Sequence, residues 1–165
     1  MTIEHGSIDA KKSNIASIFD KFWFVIPEYQ RSYVWDTDNI NDLLDDLWYA
    51  FDNKSDSEYF LGSLVLRDLN NSNYKEYEVL DGQQRLTTLF MLLSVIRDTS
   101  NNQDLLDTYS DMLFQKKNVF KGIPERVRIL YKIRDSVESF ISESIIKKDG
   151  TNNTDFLKEK LNEDN

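Results

Sequence analysis

Between Tyr74 and Ile96 the hydrophobic period changes once, at a two-residue joint, and that change limits the folds open to the chain. Tyr74 to Leu80, following the polar Asn70–Asn73 segment, reads as a strand. From Gln83 the apolar positions Leu86, Leu89, Phe90, Leu93 and Ile96 recur at helical spacing, and Met91, Leu92 and Val95 widen the arc. A helix that apolar buries most of its sides. Only Asp81 and Gly82 separate the two elements, so the strand must end and the helix begin within one turn, which glycine permits.

The chemistry at that joint follows from the helix itself. The first turn of a helix carries unpaired N–H groups and a partial positive charge, and so accepts an anion. Arg85 lies in that turn, where its guanidinium fork suits a phosphate. Asp81 is placed to cap the helix, orient Arg85, hold a metal ion or position a water, while Gln83 and Gln84 offer neutral donors and acceptors. The plainer alternative, an Asp cap beside a surface arginine, carries equal weight on pattern alone.

The other elements fill out an α+β domain. Ser13 is a candidate cap for a short helix with Ile15, Ile18, Phe19 and Phe22 on one side, and Trp23–Ile26 reads as a strand stopped by Pro27. After Asp36 or Thr37, Ile40, Leu43, Leu44, Leu47, Trp48 and Phe51 form an apolar helical stripe. The opposite face, with Asp42, Asp45, Asp46 and Asp52, reads as solvated, with a metal site as the lesser alternative. Tyr59–Leu61 with Ser63–Leu66 and Tyr74–Leu80 are strand candidates joined by the polar Asn70–Asn73 loop. Leu105–Phe114 reads as helix. Arg126–Ile145 reads as mostly helical, with Arg126–Leu130 open to a strand reading, and the tail from Lys147 as a frayed end. The expected architecture is a small mixed sheet with the helices from Asp36 and Gln83 packed on it, followed by a helical C-terminal part. The boundaries are 1–100 for the core domain and 101–165 for the extension.

Composition narrows the function classes. With 40% apolar and 13% aromatic residues in 165, the chain has ample material for a core. It has no cysteine, which excludes disulfides, Cys-based zinc sites and a thiol nucleophile. The net charge of −9 opposes general coating of nucleic acid. That charge is uneven: Asp36 to Glu58 holds eight acids against Lys54, whereas Gln115 to Arg134 holds seven bases (Lys116, Lys117, Lys121, Arg126, Arg128, Lys132, Arg134) against Glu125. A solvated helix face is the simplest reading of the basic segment, with an anionic partner or another subunit's acidic helix as alternatives. No apolar run approaches the ~20 residues of a membrane span and no signal peptide opens the chain, so a cytoplasmic protein is expected.

A second motif, Ile26-Pro27-Glu28-Tyr29-Gln30-Arg31-Ser32-Tyr33-Val34-Trp35, lies between a strand and a helix. Its aromatics suit stacking on a base and Arg31 suits a phosphate or carboxylate; the alternative makes the aromatics core plugs and Arg31 an internal ion-pair partner. Taken with FLGSLVL and YEVLDGQQRLTTL some 50 residues on, this segment resembles the N-terminal domain of the GmrSD-type restriction endonucleases. The likeness runs from about Ser13 to Ile96 without gaps in either block.

The resemblance implies a ParB/sulfiredoxin-like fold and a nucleoside-triphosphate-binding and hydrolysing module, with Mg²⁺, of a modification-dependent restriction or phage-defence system. It implies that Gly82, Gln83 and Arg85 handle phosphates, that Asp81 positions metal or water, and that Asp81, Gln84 and Arg85 form the catalytic set. Tyr29, Gln30 and Arg31 would complete the nucleotide pocket or sense modified DNA, with the 115–134 segment as a further DNA contact. The family's nuclease domain carries a His-containing metal motif. His5 is this chain's one histidine, so cutting is expected from a C-terminal or separate nuclease domain. Relatives of the domain are usually longer, which implies a piece of a longer protein or a stand-alone regulatory subunit; oligomerisation is left open. No Walker-type loop occurs. The competing expectation is a non-catalytic nucleotide- or modified-DNA-sensing module that controls a partner nuclease.

Overall fold

The computed structural model describes residues 9–53, 58–71, 73–132 and 135–163. His5, Lys54, Ser72 and Arg134, singled out above, lie outside the described residues. The chain runs α1 (Ile15–Lys21), β1 (Phe22–Ile26), α2 (Thr37–Asn53), β2 (Val65–Asp68), β3 (Lys75–Asp81), α3 (Gln83–Thr99), α4 (Gln103–Leu113), β4 (Phe114–Gln115), β5 (Arg126–Val127), β6 (Ile129–Tyr131) and α5 (Asp135–Phe140). A π-helical turn (Ile141–Ile146), a 3₁₀ turn (Gly150–Asn152) and α6 (Thr154–Glu163) follow.

Four strands form a mixed sheet in the order β2-β3-β1-β6. β2 and β3 are the expected antiparallel hairpin, whereas β1 runs parallel to both β3 and β6. Central β1 is buried along Trp23–Ile26, as a strand covered on both faces must be, and its sequence is correspondingly apolar throughout. Phe24 and Ile26 join Phe19 of α1, Val79 of β3, Ile129 of β6 and Leu86, Leu89, Phe90 and Leu93 of α3 in one core. Phe19 stacks on Phe90 and meets Phe24 edge-on, which locks α1 and α3 over β1. The fold is α+β.

Several sequence expectations are corrected. Asn14, not Ser13, caps α1, its side chain accepting the Ser17 amide. The segment 59–64 is not strand; pairing starts at Val65. The basic segment is no helix face: it forms β4, β5 and β6, and β6 enters the main sheet beside β1. The boundary expected at residue 100 thus does not coincide with an edge of the sheet.

The tail from Lys147 is not frayed. Arg97, 2% exposed, pairs with Asp98 and donates to the carbonyls of Ile146 and Lys147 at 3.0 and 2.8 Å. Asp98 accepts from the Asp149 and Thr151 amides and the Thr151 hydroxyl at 3.1, 3.0 and 2.7 Å. Burial pushes the Asp98 carboxyl up, but the bonds from Arg97 and Thr151 outweigh it and hold the group below its ordinary value. This clamp fastens the C-terminal segment to the end of α3.

Candidate functional site

The strand-to-helix joint takes the predicted form. Gly82 sits at φ +88°, in the left-handed region, and is the residue that precedes the first turn of α3. A Cβ there would meet Leu64 Cδ2 at 2.5 Å and the Ser63 carbonyl at 3.0 Å, so glycine is required twice, by conformation and by the close approach of the 61–64 segment. The Leu86 amide makes the first helical bond, to the Gly82 carbonyl. No side chain caps the helix. Asp81 is therefore not the cap considered above; it ends β3, is exposed, and lines the cleft at the helix start.

Arg85 projects from that first turn. Among the described residues no carboxylate lies within ion-pair distance of it. It borders two adjoining clefts. The smaller, about 230 Å³, is lined by Gln30, Arg31, Trp35, Asp81, Gly82, Gln83, Gln84 and Arg85 and gathers the residues of both sequence motifs. The larger, about 380 Å³, lies between Arg85, Trp35, the Tyr59–Gly62 segment and Asn39, Asp42 and Asp46 of α2. Gly62, at φ +101°, makes room for the guanidinium: a Cβ there would lie 2.4 Å from Arg85 Nη1 and 2.8 Å from Cζ.

Why the two motifs occur together is visible in the hydrogen bonds. Gln84 accepts the Val34 and Trp35 amides at its Oε1, at 2.8 and 3.3 Å, and donates its Nε2 to the Ser32 carbonyl at 3.1 Å. Gln83 Nε2 donates to the Arg31 carbonyl at 3.0 Å. In return Gln30 Nε2 donates to the Leu80 carbonyl at 2.9 Å, and the Tyr33 hydroxyl bonds Thr88 Oγ1 at 2.8 Å. The 29–35 loop is thus held to β3 and α3 by side-chain amides whose geometry matches backbone groups. Gln84, expected among the catalytic groups, is buried and has its amide engaged at both ends; it positions the loop. Gln83 is buried too, with its Oε1 lacking a partner and its residue lining the smaller cleft. Tyr29 points outward beside Glu78; partial desolvation, then the bond to Glu78, raises its phenol above the ordinary value. Neither Tyr29 nor Tyr33 lines either cleft.

The basic segment is brought only partly into the open. Arg126 pairs with Glu76, and Arg128, 3% exposed, lies 4.4 Å over the Trp23 ring and donates to Gln115 Oε1 at 3.0 Å. Burial pulls the Arg128 guanidinium below its ordinary value. Lys116, Lys117 and Lys121 are exposed. The acidic stripe of α2 is exposed, as read, and Asp42 and Asp46 also line the larger cleft together with Gly62, which sequence reasoning passed over. The signal for Gly62 was available in the FLGSLVL block.

Residues 12–165 match the family model described as GmrSD restriction endonuclease, N-terminal domain. The chain belongs to this family. It is accordingly a component of a restriction, phage-defence system, and the match extends beyond the 13–96 stretch that carried the sequence resemblance to cover the C-terminal segment as well. No curated protein matches the sequence at a significant level. Among the described residues of this GmrSD N-terminal domain, no helix is long and apolar enough to cross a membrane.

Proposed function

We propose that this GmrSD N-terminal domain binds a nucleoside triphosphate at the start of α3 and hydrolyses it to control a nuclease domain or partner. The observation that carries the reading is the uncapped α3 N-terminus opening, beside an Arg85 without an ion-pair partner among the described residues, onto a cleft that Arg31 also lines. Free helix amides and two guanidinium groups at one opening suit a polyphosphate. Mg²⁺ fits the site: it is held by one or two carboxylates together with substrate phosphates, and Asp81 supplies an exposed carboxylate on the same cleft. Bound there, the ion would offset phosphate charge.

The roles then divide by position. Arg85 and the amides after Gly82 hold phosphate oxygens where charge grows during transfer, which is most of what such a reaction needs from a protein. Asp81 orients the attacking water or the metal. Gln83, Gln84 and Gln30 fix the 29–35 loop so that Arg31 and Trp35 face the ligand. A sensing module without turnover is the second reading, favoured by one observation: with Gln84 committed to the loop, Asp81 is, among the described residues, the sole carboxylate lining the smaller cleft.

The test is calorimetric binding of ATP, GTP, CTP and UTP with Mg²⁺, paired with phosphate release. Arg85→Ala should cost about 1.5–3 kcal/mol of binding, the value of a charge-assisted hydrogen bond. Asp81→Ala should abolish release while leaving binding measurable. Phosphate release unchanged in both variants sinks the enzyme reading; tight binding with no release by the wild type selects the sensor.

A further inference from the structure

Two exposed surfaces, neither used by the nucleotide site, are complementary to each other. The first is on α2. Its stripe of Leu44, Trp48 and Phe51 was expected to pack on the sheet, yet only Leu43 and Ala50 of the helix are buried. Trp48 is 69% and Phe51 72% exposed, their rings 6.0 Å apart. At 100° per residue Asp45 and Asp52 fall along one border of this stripe, both exposed. The surface is aromatic with an anionic rim.

The second surface is the loop that joins β4 to β5. The Asn118 and Ile123 amides and carbonyls pair across it, at 2.9 and 3.0 Å, and Gly122 at φ +66° turns its tip. The tip presents Val119 at 74% and Phe120 at 104% exposure, the phenyl ring standing fully in solvent. Lys116, Lys117 and Lys121 surround it, all exposed; Lys116 pairs with Asp111 and, among the described residues, Lys117 and Lys121 have no ion pair. This surface is apolar with a cationic rim.

We propose that the β4–β5 hairpin tip of one copy docks on the α2 stripe of a second copy of this chain, Phe120 lying against Trp48 and Phe51, with Lys117 and Lys121 meeting Asp45 and Asp52. Each side exposes what the other lacks: an aromatic platform and a projecting ring, negative rim and positive rim. Opposite charges at the borders steer the encounter and set the register, while burial of the rings supplies the affinity. One tip on one stripe covers less than a standard interface of roughly 1,600 Å², so the association depends on concentration and weakens with salt. It closes as a pair if each hairpin takes its partner's helix and propagates if it does not.

Sedimentation velocity over a range of protein concentration and salt tests this. The wild type should self-associate, and Phe120→Ala should weaken the association ~10-fold or more. Lys117→Glu/Lys121→Glu and Asp45→Lys/Asp52→Lys should each be monomeric alone and form a heterodimer when mixed. All these residues are exposed, and circular dichroism confirms that each variant is folded. A wild type that stays monomeric overturns the proposal, as does self-association indifferent to both charge reversals or a mixture that fails to recombine. A monomer that instead binds a DNA duplex through Lys117 and Lys121 overturns it in favour of nucleic acid.

Discussion

On the role proposed for Arg85, replacing Gly62 by alanine should weaken phosphate binding by displacing that guanidinium, with Arg85 itself left unsubstituted. Two costs follow from the structure. The first is conformational: Gly62 lies at φ +101°, and holding an L side chain in such a region costs about 1–3 kcal/mol. For a domain of this size that lowers the melting temperature by roughly 2–10 °C. The second is local: the new Cβ would lie 2.4 Å from Arg85 Nη1, and the guanidinium must retreat by about 1 Å to reach ordinary contact. If Arg85 has the proposed role, displacement on that scale costs up to ~100-fold. The obstructing group is the far end of a flexible side chain, so the domain should fold. The assay is a double-mutant cycle, with melting followed by circular dichroism and nucleotide or tripolyphosphate affinity by calorimetry. In an Arg85→Ala background the melting loss should persist while the added affinity loss from Gly62→Ala should vanish. Equal affinity of Gly62→Ala and wild type, or an affinity loss undiminished without Arg85, would refute the argument that Gly62 seats the phosphate-binding arginine.

Gln84→Leu removes three hydrogen bonds to the 32–35 segment and should destabilise by about 1–3 kcal/mol, with trypsin cutting faster after Arg31; unchanged proteolysis would show that the loop is held otherwise. Arg97→Met leaves the Asp98 carboxylate buried without its cation and should cost about 3–5 kcal/mol in urea unfolding; a loss below 1 kcal/mol, about the value of an exposed pair, would contradict the clamp. Asp98 is held below its unfolded value of ~3.9, so its contribution is present above that pH and lost as pH falls through the lower folded value. Acid unfolding of Asp98→Asn should therefore be less steep in this window than that of the wild type, and identical slopes would refute the assignment.

Much of the site was legible because it is local. The change of period at Asp81-Gly82 dictates a strand, a left-handed glycine and a helix start in direct succession, and the helix amides and Arg85 come with them whatever the rest of the chain does. β1 and the β2–β3 hairpin were readable for the same reason, since side-chain character and a polar loop act over few residues. What could not be read is what depends on who packs against whom. Apolar spacing made α2 amphipathic, but only the packed structure shows that its Leu44–Trp48–Phe51 stripe is left open while Asp42 and Asp46 line a cleft that Arg85 also lines. The basic segment looked like a helix face because charge and short apolar runs do not specify partners; pairing of β6 with β1 more than a hundred residues away made it sheet, and buried Arg128 against Trp23. Likewise the glutamines of the joint advertise hydrogen bonding without naming its object. Tertiary structure decided that Gln83 and Gln84 hold a loop some 50 residues distant, because a buried amide must be satisfied by whichever backbone groups the fold delivers to it.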